Sequence, residues 1–270
     1  MSTLPPPTPG QPASGQPMMQ PPVPAQPVAP PMSEASRLIN TFIAPSKTFT
    51  DLKRKASWWA PWLVVSVFSL IAAVVIVQKV DMARLVQHRM EQSKRAQQAM
   101  ERLSPAQLEQ AIRIQAVAQK IGFFARPVIA LIFGLIAAAI YMVIFNFGFA
   151  AQVPFQRCLA IVFYASLPLI VKSVLVCVAL LFSADPGGID PDINPVATNP
   201  GFFMDPQANK FLWGLASGLD LIGIWSVVLT GLGFAICSAG GKLRPSTAII
   251  TVLVVYAVII AAFAALGAAF

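Results

Sequence analysis

Two ionisable residues, Lys172 and Asp220, stand inside otherwise uncharged apolar runs. A charge near a bilayer centre costs about 2.5–3.5 kcal/mol on insertion scales, so it demands a partner or a wet cavity. Lys172 lies ten residues before Phe182, and Asp220 ten residues after Lys210. At about 1.5 Å per helical residue, both stand roughly 15 Å from the same face. Two readings follow. Either the two form an ion pair inside a helical bundle, or Lys172 snorkels outward and Asp220 starts a helix near the interface. Pro168 removes an amide donor in mid-run and is expected to kink its helix.

Enzyme chemistry has little to work with here. The one histidine, His88, stands in a charged stretch away from the apolar runs, so no base is at hand for a buried nucleophile. There is no HExxH, no paired intramembrane carboxylate, no Walker loop and no dinucleotide glycine fingerprint. Cys158, Cys177 and Cys237 each lie in an apolar segment without CxxC spacing and read as small packing residues. The expectation is a non-enzymatic protein with no cofactor and no metal.

The elements that must position these charges come from composition. Hydrophobic residues make up 56% of the 270-residue chain and charged ones 11%, against about 45–50% and 25% in soluble domains. The excess is gathered into blocks of the length that crosses a bilayer, about 20 residues. The reading is an all-α polytopic transmembrane bundle of about five spans, near 58–78, 127–151, 158–182, 213–238 and 247–269. Trp58, Trp59 and Trp62 follow a Lys-Arg-Lys cluster and mark the interfacial start of the first span, with Pro61 in its first turn. Small residues spaced by four, Gly134 with Ala138 and Gly214 with Gly218, let backbones approach. They serve packing within one bundle or between copies, as a homo- or hetero-oligomer.

Between the spans, residues 79–124 read as a charged helical hairpin, its second arm opened by a capping box at Ser104 and Gln107 with Pro105 at the first helical position. Residues 183–210 are rich in Pro, Gly, Asn and Asp and read as a turn-rich loop. In front, residues 1–32 carry twelve prolines and no charge and are expected to be a disordered tail. Residues 33–55 join an apolar stripe to Lys47, Lys53, Arg54 and Lys55, as do amphipathic helices lying in the interface, the alternative being a packed soluble helix pair.

Basic residues are distributed between apolar blocks, as contact with anionic headgroups requires, so nucleic acid is not expected as a partner. Segment 33–55, Arg157, Lys242 and Arg244 share one side of the membrane, which the positive-inside rule makes cytoplasmic. The nine Lys and Arg of residues 79–126 weigh against that orientation. An odd number of spans then leaves the C-terminus outside.

Three stretches resemble the Yip family (Ypt/Rab-interacting protein domain): PSKTFTDLKRKASWWAPWLV at 45–64, FQRCLAIVFYASLPLIV at 155–171 and LDLIGIWSVVLTGLG at 219–233. The resemblance implies five spans, a cytoplasmic N-terminus and a role in membrane organisation. Eukaryotic members act in vesicle traffic and contact prenylated Rab GTPases. The Asp-Leu-Tyr-Gly-Pro-Trp stretch of those members is replaced here by Ser57-Trp58-Trp59-Ala60-Pro61-Trp62, which puts Rab contact in doubt. The Ala-rich spans and short loops look bacterial, which implies the cytoplasmic (inner) membrane. Pro45, Phe49, Trp59, Pro61, Tyr164, Pro168, Asp220 and Trp225 carry over as structural or interaction residues. The expected function is a scaffold or adaptor that sits in the bilayer and recruits a protein at its N-terminal region. The alternative is a transporter or channel component with Lys172 and Asp220 in a polar path.

Overall fold

Long runs of Leu, Ile, Val, Ala and Phe leave the backbone one local way to satisfy its amides away from water, the α-helix. The computed structural model describes Ser2 and residues 30–269 except Asn194 and Lys242, and only the backbone of Lys94 and Arg95. Among the described residues there is no strand. The proline-rich tail expected at 1–32 lies, apart from Ser2 and Pro30 to Met32, outside them.

The helices are α1 (Glu34–Ile43), α2 (Pro45–Leu52), α3 (Trp59–Lys79), α4 (Met82–Gln92), α5 (Lys94–Met100) and α6 (Pro105–Phe149). They continue as α7 (Phe155–Ala165), α8 (Leu169–Phe182), α9 (Lys210–Gly218), α10 (Leu221–Cys237) and α11 (Pro245–Ala269). Four spans are long and apolar enough to cross a membrane: α3, α6, α7 with α8, and α11. A fifth is made by α9 and α10 if this pair, bent by 53°, is one span. Outward faces are apolar, with Phe147, Phe263, Val258 and Ile132 exposed. A continuous belt of such side chains is solvated by lipid and not by water. The chain is an all-α integral membrane protein.

Three elements differ from the sequence reading. The second arm of the hairpin does not stop at residue 124. The Ser104 capping box and Pro105 start α6, and the helix continues for 45 residues to Phe149 in spite of Pro127 in its interior. Met82, Leu85 and Val86 of α4 close over Ala116 and Phe123 of α6, tying the connection to the span. The fourth span is broken at Leu219 and Asp220 rather than straight.

The third difference concerns α1 and α2. They are amphipathic, but polar side chains of both face the protein. Arg37, Thr41, Thr48 and Asp51 are buried, while Ile39, Phe42 and Ile43 are exposed. Phe49 is fully buried against Ile161 of α7 and Gly233 of α10, and the Cys237 thiol donates to the Phe49 carbonyl at 3.3 Å. The α1 part of the apolar stripe therefore faces outward, as an interfacial helix requires, whereas its α2 part, Phe49 and Leu52, is buried in the bundle.

Helix contact in hydrocarbon rests on close approach. A Cβ at Gly231 would stand 2.5 Å from the Ile249 Cα, so α10 and α11 meet backbone to backbone. Gly231→Ala should push the two apart and lower stability by about 1–3 kcal/mol, the usual cost of overpacking. Gly122→Ala, where nothing lies within 4 Å, should leave stability unchanged or slightly raised. Thermal unfolding of the detergent-solubilised protein separates the two.

Candidate functional site

The break between α9 and α10 is organised by one carboxylate. Asp220 is the N-cap of α10, its Oδ1 accepting from the Ile222 and Gly223 amides at 3.0 Å each. Its Oδ2 accepts from Lys172 Nζ at 3.0 Å and from Thr198 Oγ1 at 2.6 Å. The Leu221 amide donates to the Thr198 carbonyl at 2.9 Å. The loop after α8 thus reaches into the bundle and meets the break. Lys172 can reach it because α7 and α8 are separated at Ser166–Pro168, where the chain tightens into three-residue hydrogen bonds such as Leu167 N to Tyr164 O at 3.2 Å. Asp220 thus starts α10, and Lys172 meets it there.

Beside this pair lies a cavity of about 410 Å³, bordered by Ala72 of α3, Arg126 of α6, Lys172 and Ser173 of α8, Trp213 of α9 and Asp192 of the loop. Arg126 was read as part of the charged connection. It stands between helices instead, because the Trp62 indole of α3 donates to the neighbouring Pro127 carbonyl at 3.1 Å. Arg126 bonds Asp192 at 2.6 Å and lies over the Phe123 ring at 4.4 Å. Asp192 also accepts from Arg89 at 3.0 Å and Gln119 at 2.7 Å, and Arg89 Nε donates to Asp190 at 2.6 Å. Burial works against the charge of Arg89, but hydrogen bonds and charge from Asp190 and Asp192 outweigh it and raise its pKa. The basic connection and the Asp-rich loop are thereby joined, and the signal was a run of aspartates in one connector facing a surplus of cations in another.

A second polar cluster holds α1 and α2 to the bundle. The Arg37 side chain is wholly buried and donates to Asp51 at 2.6 Å and Glu34 at 3.2 Å. Glu34 accepts from the Tyr164 hydroxyl of α7 at 2.9 Å. Thr41 and Thr48 both donate to the Arg37 carbonyl, at 2.8 and 3.0 Å. Several residues carried by the resemblance converge here. Phe49 is buried in the seam, Pro45 opens α2, and the Trp225 ring meets Phe42 edge-on at 5.7 Å. Others lie elsewhere: Pro61 is buried in the first turn of α3, and Trp59 beside it is half-exposed. Arg37, Asp51 and Glu34 were missed, although a lone Asp inside an apolar stripe was their trace.

The small residues meet partners within the chain. Gly134 lies against Phe163, Gly214 against Ala264 and Gly218 against Ile260, while Ala138 is fully buried. The Gly218 carbonyl accepts from Tyr256 at 2.8 Å. Cys158, Cys177 and Cys237 are free thiols. No group of three or more His, Cys, Asp or Glu among the described residues could hold a metal ion.

A family model described as the Yip1 domain matches residues 39–266. No curated protein and no solved structure matches the chain.

Two expectations test the roles of these polar clusters. Asp220→Ala removes a helix cap, costing about 0.5–2 kcal/mol, and also strands Lys172, so it should lower the thermal transition more than Lys172→Met does. The reverse order would show that the cap does not hold the bend. Arg37→Leu leaves Asp51 buried and unpaired, at a cost of about 3–5 kcal/mol. Arg37→Leu with Asp51→Leu should recover most of that loss in the same unfolding assay.

Proposed function

The chain belongs to the Yip1 domain family, and on that premise we propose that it is a non-enzymatic membrane scaffold or adaptor. It serves membrane organisation or trafficking by holding its N-terminal region for a protein partner. The observation that carries this reading is the docking of α1 and α2 on α7 and α10 through the buried Arg37–Asp51 pair and Phe49. A segment that merely tethered a tail would not need a buried ion pair, whose desolvation is costly unless geometry is well made. The docking supports a fixed platform: its outer face carries Ile39, Phe42 and Ile43, and the proline-rich segment leads into it along the chain.

In this reading the N-terminus is cytoplasmic, the C-terminus lies outside, and the membrane is a bacterial cytoplasmic one. Exposed Lys53 and Lys55 gather at the start of α7, where Arg157 donates to the Lys53 carbonyl at 3.1 Å, which supports a positive inner face. The opposing weight of residues 79–126 is reduced, since Arg84, Arg89 and Arg126 pair with Asp185, Asp190 and Asp192. A transporter or channel component is the second reading, favoured by the cavity next to Lys172. The pairing of Lys172 with Asp220, which Thr198 also bonds, favours a structural tie over a conduit.

Crosslinking in native membranes followed by affinity purification tests the adaptor. Removal of residues 1–29, or Ile39→Ser with Ile43→Ser, should reduce a specific co-purifying protein by about tenfold, the effect of one interface anchor. Lys172→Gln should leave it unchanged. Identical partners from all variants, together with a solute flux across the membrane that is lost on Lys172→Gln, would reverse the ranking of the two readings.

A further inference from the structure

The two ends of the bundle treat their cations differently. At one end Arg84, Arg89 and Arg126 are paired with Asp185, Asp190 and Asp192. At the other, three connectors meet: residues 53–58 between α2 and α3, 150–154 between α6 and α7, and 238–244 between α10 and α11. Arg157 and Gln156, in the first turn of α7, donate to the Lys53 and Ala56 carbonyls at 3.1 Å each. The Ala239 amide donates to the Ala151 carbonyl at 2.8 Å. Hydrogen bonds thus join the three connectors into one surface.

That surface carries Lys53, Arg54, Lys55, Arg157 and Arg244, while residues 53–58, 150–157 and 238–244 contain no Asp or Glu. Lys53, Lys55 and Arg244 are exposed. None of these three forms an ion pair among the described residues. The adjoining carboxylate, Asp51, is buried and held by Arg37 at 2.6 Å. The first turn of α7 has no side-chain cap, so the positive end of its dipole adds to the cluster. Like charges fixed on one surface repel unless anions arrive from outside.

Depth selects the anion. Trp58 and Trp59 follow Lys55 directly at the start of α3, with Trp59 half-exposed, and indoles settle at the headgroup level. The cations therefore lie in the plane of the phosphates, where Lys and Arg gain from an anionic leaflet. We propose that this junction binds the headgroups of anionic phospholipids in the leaflet at its end of the bundle, through Lys53, Lys55 and Arg244. The acyl chains stay in the bilayer beside α3 and need no groove. The outer face of α1 is not used, so failure here leaves the adaptor reading in place.

The full-length protein, stripped of lipid in detergent, is offered equal amounts of phosphatidylglycerol and phosphatidylcholine, and bound lipid is counted by native mass spectrometry. Phosphatidylglycerol should be favoured at least about tenfold, as expected when more than one cation meets the headgroup. Lys53→Gln, Lys55→Gln and Arg244→Gln together should bring the two lipids to near equality, with the thermal transition unchanged. Lys53→Arg with Lys55→Arg should keep the preference, as should Lys210→Gln at the opposite end. Equal binding by the unaltered chain would overturn the proposal, and so would a preference that survives the triple Gln variant. Displacement of the lipid by equimolar glycerol phosphate would overturn it in favour of a soluble anion. Tighter binding of a poly-glutamate peptide, without lipid preference, would overturn it in favour of an acidic protein.

Discussion

Asp220 is the point on which the membrane domain turns. A chain that leaves the helical path inside a bilayer finds no water for its freed amides, so a break survives only where the protein supplies partners. One carboxylate does so here. It caps α10 through two backbone amides and holds Lys172 of α8 and Thr198 of the loop with its other oxygen. The bend of 53° between α9 and α10 is therefore stabilised locally, and the loop is drawn into the bundle by the same contact.

The same constraint shapes the N-terminal helices in reverse. Their polar side chains could have faced water, but α1 and α2 lie over α7 and α10 with Arg37, Thr41, Thr48 and Asp51 turned inward. Each finds a partner in the seam. Outward, α1 presents Ile39, Phe42 and Ile43, and α2 presents Ser46, Lys47 and Thr50. Buried polar contacts thus fix the pair to the bundle, with an apolar outer face on α1.

The two polar clusters share helices. Tyr164 of the N-terminal seam and Lys172 of the cavity flank the Pro168 break, while Trp225 and Asp220 stand within one turn or so at the start of α10. Proline at 168 cannot donate, so the chain there relies on tight three-residue turns. That break lets α7 serve the N-terminal dock and α8 serve the cavity, each in its own direction.

Much of this was legible in the chain. Apolar blocks of bilayer length, the capping box at Ser104, the interruption at Pro168 and the resemblance to the Yip family all follow from local residue types. Local chemistry determines them: hydropathy reports the solvent, caps report orphan amides, and proline reports a missing donor. Which face of a helix meets protein was not legible, because an amphipathic stripe has the same period whichever side is buried. Lys172 and Asp220 could be set at similar depth by counting, but only packing decided that their side chains meet. Arg126 seemed to belong to a solvated connector until the continuity of α6 put it between helices. The pairing of Arg89 and Arg126 with Asp190 and Asp192 likewise joins residues far apart in sequence. Contacts of that kind depend on how helices are arranged in three dimensions, and no window along one strand of residues contains that information.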